Sequence, residues 1–274
     1  MKFQKPEPLK FGLLAHPTKG SLSPVIFNGA FEKFGINAKY DLFDVEPSKL
    51  GKFMRGILSK KRNTTEPIRG LSVSAPHKVK IMKFLDKISP EAKKIGAVNS
   101  ILNINGKLHG FNTDHYGATM ALKEACPRLF ASNPPKLSAE KIVIIGAGGA
   151  ARAVAYGLLR NGATRKNITV VNRTLAHAKD VGTAFGVNYC KLSDIPKTSF
   201  DILINTASKL ESSTLRLLGF SSGAVSDAVV MDIVYKPSLM TPLLIAAKKA
   251  GCKIITGENM LLWQAVGQFQ VWFE

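Results

Sequence analysis

Cysteine is scarce in this chain of 274 residues: three, Cys126, Cys190 and Cys252, widely spaced and odd in number. A disulfide scaffold is excluded, and no Cys/His spacing fits a zinc site, so no metal is expected. A reducing cytoplasm is the expected compartment. Long apolar runs are missing too. None approaches the ~18–20 residues of a membrane-spanning helix. The opening MKFQKPEPLKFGLLA sets Lys and Pro ahead of an apolar patch too short for the core of a signal peptide. Neither membrane insertion nor export is expected. Acidic residues are few: 19 Asp and Glu against 38 Lys and Arg, a formal charge of +19. That excess invites a nucleic-acid reading, but its distribution argues against one. Residues 1–114 carry 20 Lys/Arg against 9 Asp/Glu and the remainder 18 against 10, with no long basic block and no aromatic-rich basic motif. No nucleic acid is expected as a partner. With 45% hydrophobic and 21% charged residues, the chain has the balance of a globular protein, one large domain or two ordinary ones.

Short strand-like runs alternate with longer helix-like ones, the α/β pattern. In the first half, 11–15, 39–45, 70–74 and 98–104 read as strands. Residues 23–35 and 47–59 read as helices, the latter with Pro in its first turn. A further helix around Ala118–Cys126 leads into a Pro-rich stretch at 132–138. From Lys141 the beat tightens. Residues 141–146, 167–172, 200–206, 228–233 and 253–257 are short apolar strands of the kind buried on both faces of a parallel sheet. The last segment places Leu261, Ala265, Phe269 and Trp272 on one helical face.

The strongest local signal is Gly146-Ala147-Gly148-Gly149-Ala150-Ala151, a G-x-G-x-x-A directly after a buried strand. The first glycine permits a tight turn, the second lets backbone approach a pyrophosphate, and the small last position allows close strand–helix packing. The helix that follows offers unpaired N–H groups to phosphate. The next strand ends in Asn172-Arg173-Thr174, where an NAD site has an acid for the ribose 2′-hydroxyl. Arg173 in that place favours the 2′-phosphate of NADP. A second constellation runs from a strand into a helix start, Gly70-Leu71-Ser72-Val73-Ser74-Ala75-Pro76-His77-Lys78. It is followed by Gly96-Ala97-Val98-Asn99-Ser100 and Gly110-Phe111-Asn112-Thr113-Asp114. Taken singly, each is a turn or a cap.

Together with Ala15-His16, Ser21-Leu22-Ser23-Pro24, Asp232-Ile233-Val234-Tyr235 and Thr241-Pro242-Leu243, these segments resemble one family in one order: the shikimate dehydrogenases. The resemblance implies an NADP-dependent oxidoreductase that reversibly reduces 3-dehydroshikimate to shikimate, a step toward aromatic amino acids. It implies a mixed-sheet α/β substrate domain at 1–114, joined by the C-terminal helix 258–274, and a Rossmann-type doubly wound domain at 115–257. The active site is expected in the cleft between them. By position, Lys78 and Asp114 match the catalytic pair. Ser21, Ser23, Ser72, Ser74, Asn99, Tyr235 and Gln264 match substrate contacts. Gly146, Ala147, Gly148, Gly149, Ala150, Asn172, Arg173, Thr174, Thr206, Val234 and Gly257 match cofactor contacts.

The chemistry agrees. A hydride reaching a ring ketone creates alkoxide character on oxygen, which needs a proton and a nearby positive charge, and a lysine supplies both. This chain departs from the family at Ser72 and Ser74, where Asn and Thr are usual, which leaves space beside the ring hydroxyls. It departs again at His177, which stands where many relatives have a second Arg and softens the preference for NADP. A related ring acid such as quinate is the alternative substrate. A methylenetetrahydrofolate dehydrogenase shares the two-domain plan, but the Ser-Leu-Ser-Pro and Asn-Thr-Asp segments speak against it. A non-catalytic dinucleotide-binding regulator would have lost Lys78 or Asp114, and both are present. A monomer or homodimer is expected.

Overall fold

The computed structural model describes residues 7–58, 68–195, 200–220 and 227–274; Ser59, the last residue of the helix expected at 47–59, lies outside them. Two compact units emerge. The first comprises Met1–Thr113 and Ala265–Glu274, the second Asp114–Gln264. The last ten residues, Ala265–Glu274, go with the first unit.

The first unit is built on a six-stranded sheet of order β2-β1-β3-β5-β6-β4. Strands β1 (Leu9–Ala15), β2 (Ala38–Asp44) and β3 (Ile68–Val73) run parallel. Strand β5 (Ser100–Ile104) runs antiparallel to both β3 and β6 (Lys107–Phe111), and β4 (Lys87–Ile88) lies parallel to β6. β5 and β6 form a hairpin through Asn105 and Gly106, whose φ values of 52° and 83° are those of a two-residue turn that matches strand twist. Helix α1 (Ser23–Lys33) crosses from β1 to β2 with Pro24 in its first turn, where a missing N–H costs nothing. Helix α2 (Leu50–Leu58) follows a single 3₁₀ turn at Pro47–Lys49, so the helix expected from Pro47 begins as a tighter turn. Helix α3 (Pro90–Ile95) is bounded by a Ser89 hydroxyl that accepts from the Ala92 amide and by Gly96 at φ 72°.

Alternation along β1 sends its side chains to two cores. Phe11, Leu13 and Ala15 pack with Phe27, Phe31, Tyr40, Ala265 and Trp272, while Leu14 joins Met54, Leu71, Ile81, Val98 and Leu108 on the other face. The aromatic side is dense. The Trp272 ring lies 4.9 Å from both Phe11 and Phe27, and its indole N–H donates to the Ile101 carbonyl at 3.0 Å. Gly70 makes room for it. A Cβ there would stand 2.7 Å from Trp272 Nε1 and 2.8 Å from the Phe11 ring.

The second unit carries a six-stranded sheet, β12-β11-β10-β7-β8-β9, every pair parallel. Its strands are β7 (Ile142–Ile145), β8 (Ile168–Asn172), β9 (Asn188–Lys191), β10 (Ile202–Asn205), β11 (Val229–Asp232) and β12 (Lys253–Ile255). Strands β7, β10 and β11 are buried at every residue, as a sheet covered on both faces requires. Its helices among the described residues are α4 (Asp114–Ala125), α5 (Gly149–Arg160), α6 (Leu175–Phe185), α7 (Ser212–Leu217) and α8 (Pro242–Lys249), and α9 (Gly257–Phe273) begins in it. Ala118, Val154, Leu158, Val181 and Met260 line one core, and Leu218, Leu243, Leu244 and Ala247 line the other. The order is that of doubly wound dinucleotide folds, with its switch point between β7 and β10.

At the end of the first sheet, Ala15 and Asp44 stand opposite each other in register. This lets the next residue, His16, reach the Asp44 carboxylate at 2.6 Å. Thr18 adds its amide at 2.8 Å and its hydroxyl at 3.0 Å. The Thr18 amide, then the His16 ring, hold the Asp44 pKa down at about 2. Since folding lowers this pKa, the contribution is complete above the ordinary value of 3.8 and disappears as pH falls toward 2. The melting temperature of Asp44→Asn should therefore trail the parent at neutral pH and converge with it across that interval; a gap that persists at pH 2 would show that the carboxylate charge is irrelevant. Gly70→Ala should cost about 1–3 kcal/mol through overpacking. Its denaturant midpoint should drop at unchanged slope; an unmoved midpoint would mean that Trp272 and Phe11 yield without cost.

Candidate active site

In the first unit, the residues singled out from sequence gather at the carboxyl ends of β1 and β3. The Ser74 amide donates to Leu14 O at 2.9 Å and the His16 amide to Ala75 O at 3.2 Å, which brings the 16–23 loop against the segment leading to Lys78. Within that loop the Ser21 hydroxyl donates to Ser23 Oγ at 3.2 Å. His77 is fully buried and donates from Nε2 to Val45 O at 2.7 Å, anchoring the turn that carries Lys78. Burial pushes the His77 pKa down, which favours the neutral ring and fits a buried Nδ1 that makes no hydrogen bond. The Lys78 carbonyl in turn accepts from the Val98 amide at 2.8 Å, next to Asn99. Lys78 itself is half-buried.

Ser72 and Asn99 are engaged in the fold. The Tyr40 hydroxyl donates to Ser72 Oγ at 2.6 Å, Ser72 donates to Gln268 Oε1 at 2.8 Å, and Gln268 Nε2 donates to Asn99 O at 2.8 Å. The space expected beside the short Ser72 side chain is filled by the Gln268 amide, and Ser72 has its one proton committed. Asn99 Oδ1 accepts from the Thr113 amide and the Ser100 hydroxyl, both within 2.8 Å, and Nδ2 donates to Thr113 Oγ1 at 3.0 Å. Its side chain thus holds the residue preceding Asp114. The sequence reading missed Gln268, which lies one helical turn beyond Gln264.

The remaining assigned residues belong to the second unit. Asp114 is buried at the first position of α4. Gln264 Nε2 donates to Leu261 O at 2.9 Å, and the Gln264 Cβ lies against Gly117, where a further Cβ would stand 2.8 Å away. Tyr235 is half-buried and follows a turn fixed by Asp232. That buried carboxylate accepts from Asn205 Nδ2 at 2.8 Å, Thr241 Oγ1 at 2.7 Å and the Val234 amide at 3.1 Å. Burial raises the Asp232 pKa, and these three donors work against that rise.

The glycine turn has the form expected of it. Gly146 has φ 109°, and a Cβ there would collide with the Thr206 hydroxyl, which donates to Ile145 O at 2.7 Å. Gly148 opens α5 without a side-chain cap, and no atom stands within 4 Å of where its Cβ would be. Bare helix-start N–H groups facing open space suit a pyrophosphate. Gly146, Ala147, Gly148, Asn172, Arg173 and Thr206 all line one cavity of about 640 Å³. Gly149, Ala150, Thr174, Val234 and Gly257 are outside that lining. The glycine at 257 is needed for packing, because a Cβ there would press on the Ile233 backbone at 2.6 Å. Lys191, Ser193, Lys209 and Glu211 join the lining without having been anticipated. Lys191 stands in register beside Asn172 on the neighbouring strand. Arg173 is 85% exposed and reaches the Glu211 carboxylate at 3.9 Å. The residues present fit a dinucleotide. Among the described residues, no His/Cys/Asp/Glu cluster is arranged to hold a metal, and no helix is long and apolar enough to cross a membrane.

Two family models match the chain: the shikimate dehydrogenase substrate binding domain over residues 13–101, and shikimate/quinate 5-dehydrogenase over residues 128–217. A protein of Caldanaerobacter subterraneus subsp. tengcongensis, a shikimate dehydrogenase (NADP(+)), is 37% identical over 270 residues, covering 96% of this chain and 90% of that one. The crystal structure of shikimate dehydrogenase from Aquifex aeolicus aligns at a TM-score of 0.81 and 33% identity, over 97% of this chain and 92% of its own. That of Thermus thermophilus shikimate 5-dehydrogenase in complex with NADP(H) and shikimate aligns at 0.77 and 32%, over 97% and 93%. Similarity at this level runs through both units, across the serine loop, the lysine turn and the glycine turn alike. The chain belongs to the shikimate dehydrogenase family.

Proposed function

We propose that this protein is an NADP-dependent shikimate dehydrogenase, reversibly reducing the ring ketone of 3-dehydroshikimate on the route to aromatic amino acids. The observation that carries the reading is the pair of backbone bonds, Ser74 to Leu14 and His16 to Ala75, that sets the loop bearing Ser21 and Ser23 beside the segment leading to Lys78 at the carboxyl ends of β1 and β3. Loops at those ends are where open α/β sheets bind ligands. Hydroxyls suit a carboxylate and ring hydroxyls, and the lysine suits an oxygen that gains charge. The naming of its relatives as NADP(+) enzymes and the Thermus complex with NADP(H) and shikimate support it.

In this reading Gly146 to Gly148 and the start of α5 receive the pyrophosphate, and Arg173 receives the 2′-phosphate. The bound cofactor supplies a hydride to the ketone carbon. Lys78 Nζ gives its proton to the ketone oxygen as alkoxide character develops, and takes it back in the oxidation direction. Asp114 orients the lysine and the reacting hydroxyl. Ser21, Ser23 and Ser74 hold the substrate, a role proposed for Tyr235 and Gln264 as well. The Gln268–Ser72–Tyr40 chain keeps β2, β3 and α9 in fixed relation behind them. The substrate-binding role thus falls to residues 1–114 with the last helix and the cofactor role to 115–257, in the cytoplasm that a chain with three widely spaced cysteines suits.

Steady-state oxidation of shikimate and of quinate, each with NADP and with NAD, tests the assignment; turnover of quinate without shikimate would replace the substrate. Lys78→Met should lower turnover by about 10²- to 10⁴-fold with dinucleotide affinity unchanged, and turnover within a few-fold of the parent would remove Lys78 from the mechanism. Arg173→Ala should raise the KM for NADP by about ten- to a hundredfold, the loss of one charged hydrogen-bonding contact. The KM for NAD should stay nearly constant, and equal effects on both would place Arg173 away from the 2′-phosphate.

A further inference from the structure

The turn after β8 has no acid to read a ribose 2′-hydroxyl, and Arg173 there favours a 2′-phosphate. The fold supplies the missing acid from elsewhere. Glu211, at the start of α7, extends its carboxylate to 3.9 Å from the Arg173 guanidinium, and both residues line the 640 Å³ cavity that begins at the glycine turn. The two side chains are 85% and 65% exposed. An ion pair so exposed does little to stabilise a fold; what bears on a ligand is that both of its members line this cavity.

We propose that Glu211 is a second reader of the adenosine ribose, set against Arg173, and that it broadens the site to accept NAD alongside NADP. The inference rests on the dinucleotide reading of this cavity. A phosphate seated on Arg173 carries close to two negative charges and comes within reach of the Glu211 carboxylate. Like charges about 4 Å apart in water lose roughly fivefold in affinity. A free 2′-hydroxyl in the same place instead donates a charge-assisted hydrogen bond to Glu211, the role an acid plays in NAD sites. Lys191, beside Asn172 in register and in the lining, keeps the balance positive, so NADP still binds. One acid against two cations narrows discrimination and leaves it intact.

Isothermal titration calorimetry with NADP+ and with NAD+, each without substrate, tests this on the parent and on Glu211→Gln, a swap of equal size at an exposed position. The parent should bind both dinucleotides. Glu211→Gln should tighten NADP+ by about three- to tenfold, as relief of one like-charge contact predicts, and weaken NAD+ by about as much. Shifts of both in the same direction by one factor, or no shift in either, would overturn the role of Glu211 and leave the cavity's assignment standing. A parent that binds neither dinucleotide would overturn the assignment and this inference with it.

Discussion

The first unit depends on a contact made by the end of the chain. Trp272 inserts between Phe11 and Phe27, bonds to the Ile101 carbonyl, and occupies ground that Gly70 leaves vacant on β3. One turn earlier, Gln268 joins Ser72 to the Asn99 carbonyl. A single helical face therefore does two things. Its rings close the aromatic core, and its amide pins β3 to the strand exit that holds Asn99. The Asn99 side chain carries the constraint on to Thr113, immediately before Asp114. Order at the candidate site is thus inherited from packing behind it, because buried polar groups with their bonds satisfied have few alternative arrangements.

The dinucleotide unit shows the same economy. Gly146 is confined by the Thr206 hydroxyl, which is itself tied to Ile145. The strand end, the turn and the start of α5 therefore form one rigid corner. Asp232 serves as a hub of a different kind. Its buried carboxylate collects an amide side chain, a backbone N–H and the hydroxyl that caps α8, and so shapes the turn leading to Tyr235. Against these fixed features, Arg173, Glu211 and Lys191 are exposed and adjustable. The glycine turn is held by backbone and core contacts, whereas these side chains can vary without disturbing the core.

How much of this was legible in the sequence follows from how local each signal is. Residues 142–145, 202–205 and 229–232 announce themselves because burial on both faces demands unbroken apolar runs. The glycine turn does so because its strain is confined to a few consecutive residues. Strand β6 went unread although Asn105-Gly106 is a hairpin signal in its own right. Strands β4 and β9 had no such signal, being short or polar and existing only through pairing with a neighbour. The same holds for the site. Lys78 and Arg173 stand at strand exits that the sequence marks, whereas Lys191, Glu211 and Gln268 arrive by register, by a loop after β10 and by the docking of the last helix. Pairing and docking of that kind join residues far apart in the chain, which no local pattern encodes.

The division of the chain has a consequence for its synthesis. The second unit has all its residues once Gln264 is made, but the first, begun earlier, lacks Ala265–Glu274 until then. At roughly 5–20 residues per second, Phe11, Phe27 and Phe31 wait on the order of ten seconds or more for the indole that covers them. The part translated first is therefore completed last. During that interval the aromatic face that Trp272 covers stands open on the nascent chain.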